Sequence, residues 1–479
     1  MGSRQANFLR PAVTTTLVLA LLQTGCVWRR LKGPDLAEIY DRAAQNQHVE
    51  RNPIIVIPGI MGSKLVDQGG RVVWGTFGGK SANPHRPEGA RLVALPMREG
   101  ARLRELTDEV RPNGVLDRVR VKFLGLPFHL GAYFHILGML GAGGYRDEEL
   151  GLAGAVDYGD NHFTCFQFAY DWRRDLSETA ADLARFIEEK RAYVRAEREK
   201  RYGVSDRQIK FDIVAHSMGG LLTRYYLRYG GEPLPEDGSV PRVTWAGTAN
   251  VERVVLIGPP NAGSFAALRN LVQGVKLGPT LPRYEPAIVG TMPSAYQILP
   301  RGRHGAVVDA AQPDQRYEDT YDPELWEKFG WGLASPDQDR VLQWLLPDVP
   351  DAAGRRRVAL EHLRKSLARA RQFAAAIDTP ARPPAGVSLY LVVGDAIPTP
   401  AVVAVDGESG TLKVIEKRAG DGSVLRSSAL MDERLSGEWS PRLVSPAHWS
   451  HVTFMFRGHL DMTKDPAFTD NVLFILLEQ

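Results

Sequence analysis

The sequence predicts an α/β protein with a mostly parallel central sheet flanked by helices on both faces, and with a further segment inserted between core strands. Three observations carry that expectation. Short apolar runs rich in β-branched residues recur at Pro53–Ile57, Ile209–Val214, Val254–Ile257 and Val387–Val393; strands covered on both faces read this way. Helical patterns alternate with them. One strand also runs through Ala215-His216-Ser217-Met218-Gly219-Gly220 directly into a helix.

The elements follow in order. Pro53–Ile57 reads as a buried strand stopped by Pro58-Gly59. Residues 66–125 hold many turn residues and form an excursion over the core. Residues 129–141 are apolar and helical in pattern, and His162–Phe168 alternates like a strand before Tyr170-Asp171-Trp172-Arg173. Asp175 can cap the next helix, whose Leu176, Ala180, Leu183 and Ile187 share one face. The strand at 209–214 and the helix from Met218 to about Tyr229 come next, then the strand Val254–Ile257. Residues 280–385 break the rhythm: they are rich in Pro, Asp and Arg, place Trp326, Trp331 and Trp344 close together, and carry a periodic helix through Leu360, Leu363, Leu367, Ala370 and Ile377. This stretch reads as a cap. Core packing, an acyl pocket and a membrane-touching lid are all open to its tryptophans. The sheet resumes at Val387–Val393, and residues 470–477 form a last helix.

The chain of 479 residues suits one large core with insertions. We expect an export signal over 1–25, a linker over 26–49, core over 50–280, an inserted cap or lid over 281–385 and core again over 386–479. A formal net charge of +3 gives no case for nucleic-acid binding. The two cysteines, Cys26 and Cys165, do not make a disulfide framework, and no Cys/His cluster has metal-ligand spacing. No metal or organic cofactor is expected.

Arg4 and Arg10 precede a short apolar stretch at 12–22, followed by Gln23-Thr24-Gly25-Cys26. This predicts export from a bacterial cytoplasm. A small residue before Cys26 resembles a lipoprotein processing site, with Gln23 a departure from the usual apolar residue. The two readings are a lipid anchor on Cys26 at a membrane surface, and a plain secretory signal leaving a periplasmic or secreted protein.

The segment around Ser217 has the form of a nucleophile elbow: a serine on a sharp strand-to-helix turn, with small residues two before and two after it. Acyl transfer needs backbone N–H donors aimed at the developing oxyanion. Met218 supplies one. The turn Pro58-Gly59-Ile60-Met61-Gly62 is the candidate for the second, with Met61 first and Ile60 second.

Several segments in this order resemble the lecithin:cholesterol acyltransferase-like family of α/β-hydrolases. They are Pro53–Gly59, Gly144-Tyr145-Arg146-Asp147, Tyr170-Asp171-Trp172-Arg173, the Ala-His-Ser-Met-Gly elbow, Tyr296–Pro300, Ile397-Pro398-Thr399-Pro400, Gly420–Val424 and His459-Leu460. The resemblance runs from about residue 50 to the end and implies the α/β-hydrolase fold and lipid esters as substrates. Ser423 stands where family members often have Thr, and the cysteine pair that pins a lid in animal members is absent.

In this fold the order is Ser, then Asp or Glu, then His. Position alone favours Asp395, directly after a strand, as the acid; the resemblance implies Asp421 in its Gly-Asp-Gly turn. Of His448, His451 and His459, the last sits on a loop ahead of the final helix and is the expected base. His216 reads as structural. Asp171 and Arg173 read as a buried ion pair, with substrate contact as the alternative. The expected activity is a serine-dependent lipid acyl hydrolase or O-acyltransferase. A general carboxylesterase or triacylglycerol lipase is the second reading, and a non-catalytic, membrane-tethered lipid-binding protein the third.

Overall fold

The computed structural model describes residues 42–45 and 49–479 except 78, 117, 124, 125, 132, 152–159, 206, 277–280 and 435–440, and no side chains over 117–132. The expected signal, Cys26 and most of the linker lie outside the described residues.

The sheet is built from β1 (Ile54–Ile57), β2 (Cys165–Gln167), β3 (Phe211–His216), β4 (Val251–Ile257), β5 (Ser388–Gly394) and, after a hairpin of β6 (Ile397–Val405) and β7 (Leu412–Gly420), β8 (His451–Met455). Its order is β8-β5-β4-β3-β1-β2, with every pairing parallel. Side-chain alternation divides the strands between two cores. Ile55, Ile57, Ile213, Ala215, Val254 and Leu256 face one cluster, and Ile54, Val56, Val214, Val255 and Ile257 face the other. That double burial is why the runs Ile54–Ile57, Ile213–Ala215 and Val254–Ile257 are apolar throughout instead of alternating.

The helices are α1 (Phe134–Ala142), α2 (Leu176–Tyr202), α3 (Met218–Tyr229), α4 (Ala352–Asp378) and α5 (Pro466–Leu477). Residues of α2, α3 and α4 fill the first cluster, and residues of α1 and α5 the second. Asp175 caps α2 by accepting from the Ser177 N–H at 2.8 Å, satisfying one of the first-turn donors.

Residues 281–385 do not stand apart as a cap. Ile288, Tyr296 and Gln297 are fully buried in the body of the protein. Helix α4 lies on α3: Phe373 stacks on Tyr225 at 5.5 Å, Arg224 donates to the Ile377 carbonyl at 2.7 Å, and the Tyr229 hydroxyl donates to Ala376. It therefore serves as a covering helix between β4 and β5, and its apolar stripe pays for that packing. Trp326 and Trp331 are buried edge-to-face at 5.8 Å, and their indole N–H groups donate to the carbonyls of Thr320 and Gly410. Core packing is thus their role.

Candidate active site

Ser217 sits between β3 and α3 with φ 54° and ψ −124°. Positive φ is costly for a residue with a side chain. The turn holds because its neighbours are small: a Cβ on Gly219 would lie 2.5 Å from the Pro58 carbonyl oxygen, and one on Gly220 2.9 Å from the Pro259 Cβ. The Ser217 hydroxyl makes no cap to the helix behind it. It meets His459 Nε2 instead, at 2.9 Å.

His459 Nδ1 lies 2.7 Å from Asp421 Oδ2. The other carboxylate oxygen of Asp421 accepts from the backbone N–H groups of Ser423 and Val424, at 2.9 and 2.7 Å. Burial pushes the Asp421 carboxyl up, but His459 and the two backbone donors outweigh it and hold the group below the usual carboxylate range. Asp421 therefore stands ionised beside the imidazole.

Asp395 is elsewhere: its carboxylate lies 3.5 Å from the Arg426 guanidinium. The two candidates come from one strand end. The hairpin β6–β7 leaves β5 and returns to it, with Ile397 paired to Gly420, and sets Asp421 directly over Gly394. A Cβ on Gly394 would lie 2.3 Å from the Asp421 Cβ, so the last residue of β5 must be glycine for the acid to reach the histidine.

The turn after β1 faces the elbow. A Cβ on Gly59 would lie 2.8 Å from the Ser217 Cβ. Three aromatic side chains fix this turn. Tyr170 donates to the Pro58 carbonyl at 2.8 Å, Trp74 Nε1 donates to the Met61 carbonyl at 2.8 Å, and the Gly59 N–H donates to the Tyr133 hydroxyl at 2.7 Å. Met61 itself has φ 63°, a second strained backbone beside the first. Met218 opens α3, so its N–H is a first-turn donor with no acceptor within the helix. The positive end of α3 adds to the same spot.

A cavity of about 710 Å³ opens over Ser217 and His459. Ile60, Met61, Trp74, Phe77, Leu116 and Leu281 give it an apolar side, and Asp461 and Lys464 lie on its rim. Trp74, Phe77, Leu116 and Tyr133 were not singled out by the sequence. The run Val72-Val73-Trp74 and Phe77 inside a turn-rich excursion was the available signal. The three tryptophans at 326, 331 and 344 do not line this cavity.

Asp171 and Arg173 form the expected ion pair at 2.8 Å, joined by Asp108 at 2.8 Å. Arg173 is fully buried and also donates to the Val93 carbonyl at 3.1 Å. It ties the excursion to the end of β2. Arg173→Met removes the fully buried cation of this cluster, leaving Asp108 and Asp171 only Arg174, at 2.9 and 3.3 Å, and is expected to cost about 3–5 kcal/mol of stability, read as a lower urea midpoint. His448 and His451 lie outside the Ser217–His459–Asp421 chain of hydrogen bonds. His216 is buried against it, its ring 4.8 Å from the His459 ring. Among the described residues, no group of three or more His, Cys, Asp or Glu side chains is placed to hold a metal ion.

Comparisons with known proteins bear on the family and the fold. Residues 154–325 match the family model of lecithin:cholesterol acyltransferase; that span contains Ser217 and ends before Asp421 and His459. No curated protein matches the chain. Among solved structures, the Tle4–Tli4 complex is similar with a TM-score of 0.50 at 17% identity, over 90% of this chain and 98% of that one, which bears on the fold alone. Lipase 1 from Pelosinus fermentans has a TM-score of 0.32 at 12% identity, covering 90% and 99%. The Bacillus licheniformis lipase BlEst2 has 0.28 at 12% identity, covering 89% and 92%; neither of these two bears on the argument. Residues 154–325, which carry the elbow between β3 and α3, are thus similar to the lecithin:cholesterol acyltransferase family, and the parallel sheet flanked by helices has the α/β-hydrolase fold.

Proposed function

We propose that the chain is a serine-dependent lipid acyl hydrolase or O-acyltransferase acting on phospholipid or related lipid esters. The observation that carries this reading is the hydrogen-bonded series Ser217–His459–Asp421 at the base of a cavity with an apolar side. His459 takes the proton of Ser217 as its Oγ attacks the ester carbonyl. Asp421 holds the imidazole in the tautomer that leaves Nε2 free to accept, and stabilises the imidazolium. The tetrahedral oxyanion rests on the amides of Met218 and Met61, with Ile60 the alternative to Met61. The imidazolium then protonates the leaving alcohol. The resulting acyl-enzyme is released by water or an alcohol, with His459 again the base. The apolar wall of Trp74, Phe77, Leu116 and Leu281 suits an acyl chain.

A lipid anchor on Cys26, proposed from the residues before it, would hold the enzyme at a membrane surface outside the cytoplasm, beside such substrates. Turnover of phospholipid vesicles should exceed that of soluble short-chain esters. Turnover of short soluble esters alone would point to a general carboxylesterase, and of triacylglycerol alone to a lipase of that class. Binding of vesicles with no turnover at all would leave only a lipid-binding protein.

A further inference from the structure

We propose that His216, the residue before the nucleophile, is a positioning residue that couples the oxyanion turn to the loop of the catalytic base through the Tyr133 hydroxyl. The inference rests on Ser217 and His459 acting as proposed above.

The connection is a directed series of hydrogen bonds. The Gly59 N–H donates to the Tyr133 hydroxyl at 2.7 Å. That hydroxyl lies 3.1 Å from His216 Nδ1, and His216 Nε2 lies 3.1 Å from the backbone carbonyl of His459. A carbonyl oxygen can only accept, so the proton of His216 is on Nε2. Burial, and then the neighbouring His459, push the His216 imidazole down to about 3, so it is neutral. Its Nδ1 lone pair must then accept, and the single proton of Tyr133 goes there. Burial likewise keeps the Tyr133 phenol protonated. Every polar group in the series is used once, and each direction follows from the one before.

Two consequences follow. The carbonyl of the catalytic base and the amide of the turn beside Met61 are fixed by one rigid unit, anchored on the residue next to Ser217. Nucleophile, base and oxyanion donors come from three distant parts of the chain, and this unit sets their relative positions. Second, the His216 ring lies 4.8 Å from the ring of His459. Kept neutral, it does not oppose the imidazolium that forms there during reaction.

The test compares Tyr133→Phe, His216→Phe, His216→Gln and the double Phe variant with the full-length enzyme. Each Phe variant should lower kcat by about 10²-fold, since a displacement near 1 Å costs that much. KM should stay within about threefold, because ground-state binding is untouched. Labelling of Ser217 by a fluorophosphonate should slow by the same factor. The double variant should be no slower than the slower single one, because both cut one series. His216→Gln keeps an N–H donor for the His459 carbonyl and should recover about tenfold. Unchanged kcat in Tyr133→Phe, or losses that multiply in the double variant, overturns the proposal. If His216→Phe fails to fold, the Tyr133→Phe rates decide alone. A Ser217→Ala control separates the two claims: an active Ser217→Ala enzyme defeats the proposed mechanism, whereas an inactive one beside fully active Tyr133→Phe and His216→Phe defeats only the coupling.

Discussion

Ser217→Ala is expected to lower kcat on a lipid ester by about 10³-fold or more, with what remains coming from the oxyanion donors and substrate binding alone. The expectation is specific because the hydroxyl has no other occupation. It opens α3 without capping it, at φ 54°, and spends its hydrogen bond on His459 at 2.9 Å. Removing one oxygen leaves the turn, the sheet and the helix contacts intact, since the closest approach at each of Gly59, Gly219 and Gly220 is to a Cβ or a backbone atom. The thermal midpoint should therefore stay nearly unchanged while turnover collapses. A loss of both together would mean that the serine is structural.

Asp421→Asn should lower kcat by about 10³–10⁴-fold, because the amide can donate to His459 Nδ1 and so favour the wrong tautomer. Asp395→Asn should change kcat by less than about threefold, being a surface ion-pair partner with little coupling to the site. The reverse pattern would move the acid to Asp395. The same carboxylate has a signature in stability. Its pKa is lowered in the fold, against burial, by His459 and two backbone N–H groups. A group depressed in this way stabilises the fold above its unfolded value, about 3.9 for Asp, and loses that contribution as pH falls through the folded value. Asp421→Asn should remove that part of the acid-side decline in the unfolding midpoint.

The readability of the sequence tracks how local each feature is. β3, Ser217 and α3 are contiguous, so strand, strained turn and helix could be read in one pass, and α3 begins and ends where the periodicity places it. The buried strands were legible because burial on both faces leaves no polar alternation to confuse them. The acid was less so: β6 and β7 stand between β5 and Asp421, and only the contact with Gly394 reveals that the hairpin brings it back. Residues 281–385 misled for a related reason. Their Pro-, Asp- and Arg-rich surface looks like an insertion, yet Tyr296 and Gln297 are fully buried and α4 covers the sheet beside α3. The cavity wall was hidden in turn-rich sequence, since Trp74 and Phe77 meet the elbow only through tertiary packing. The Tyr170–Arg173 segment carried its meaning in partners far along the chain, with Tyr170 bonded to Pro58 and Arg173 to Asp108.

In the proposed reaction an acyl group passes through Ser217. Wild-type enzyme mixed with phospholipid, quenched in acid within the first turnovers and digested, can be mapped by peptide mass spectrometry. One acyl chain is expected on the peptide carrying Ser217, and none in the Ser217→Ala protein. Steady turnover with that peptide unmodified, or the acyl group found on another residue, would contradict it.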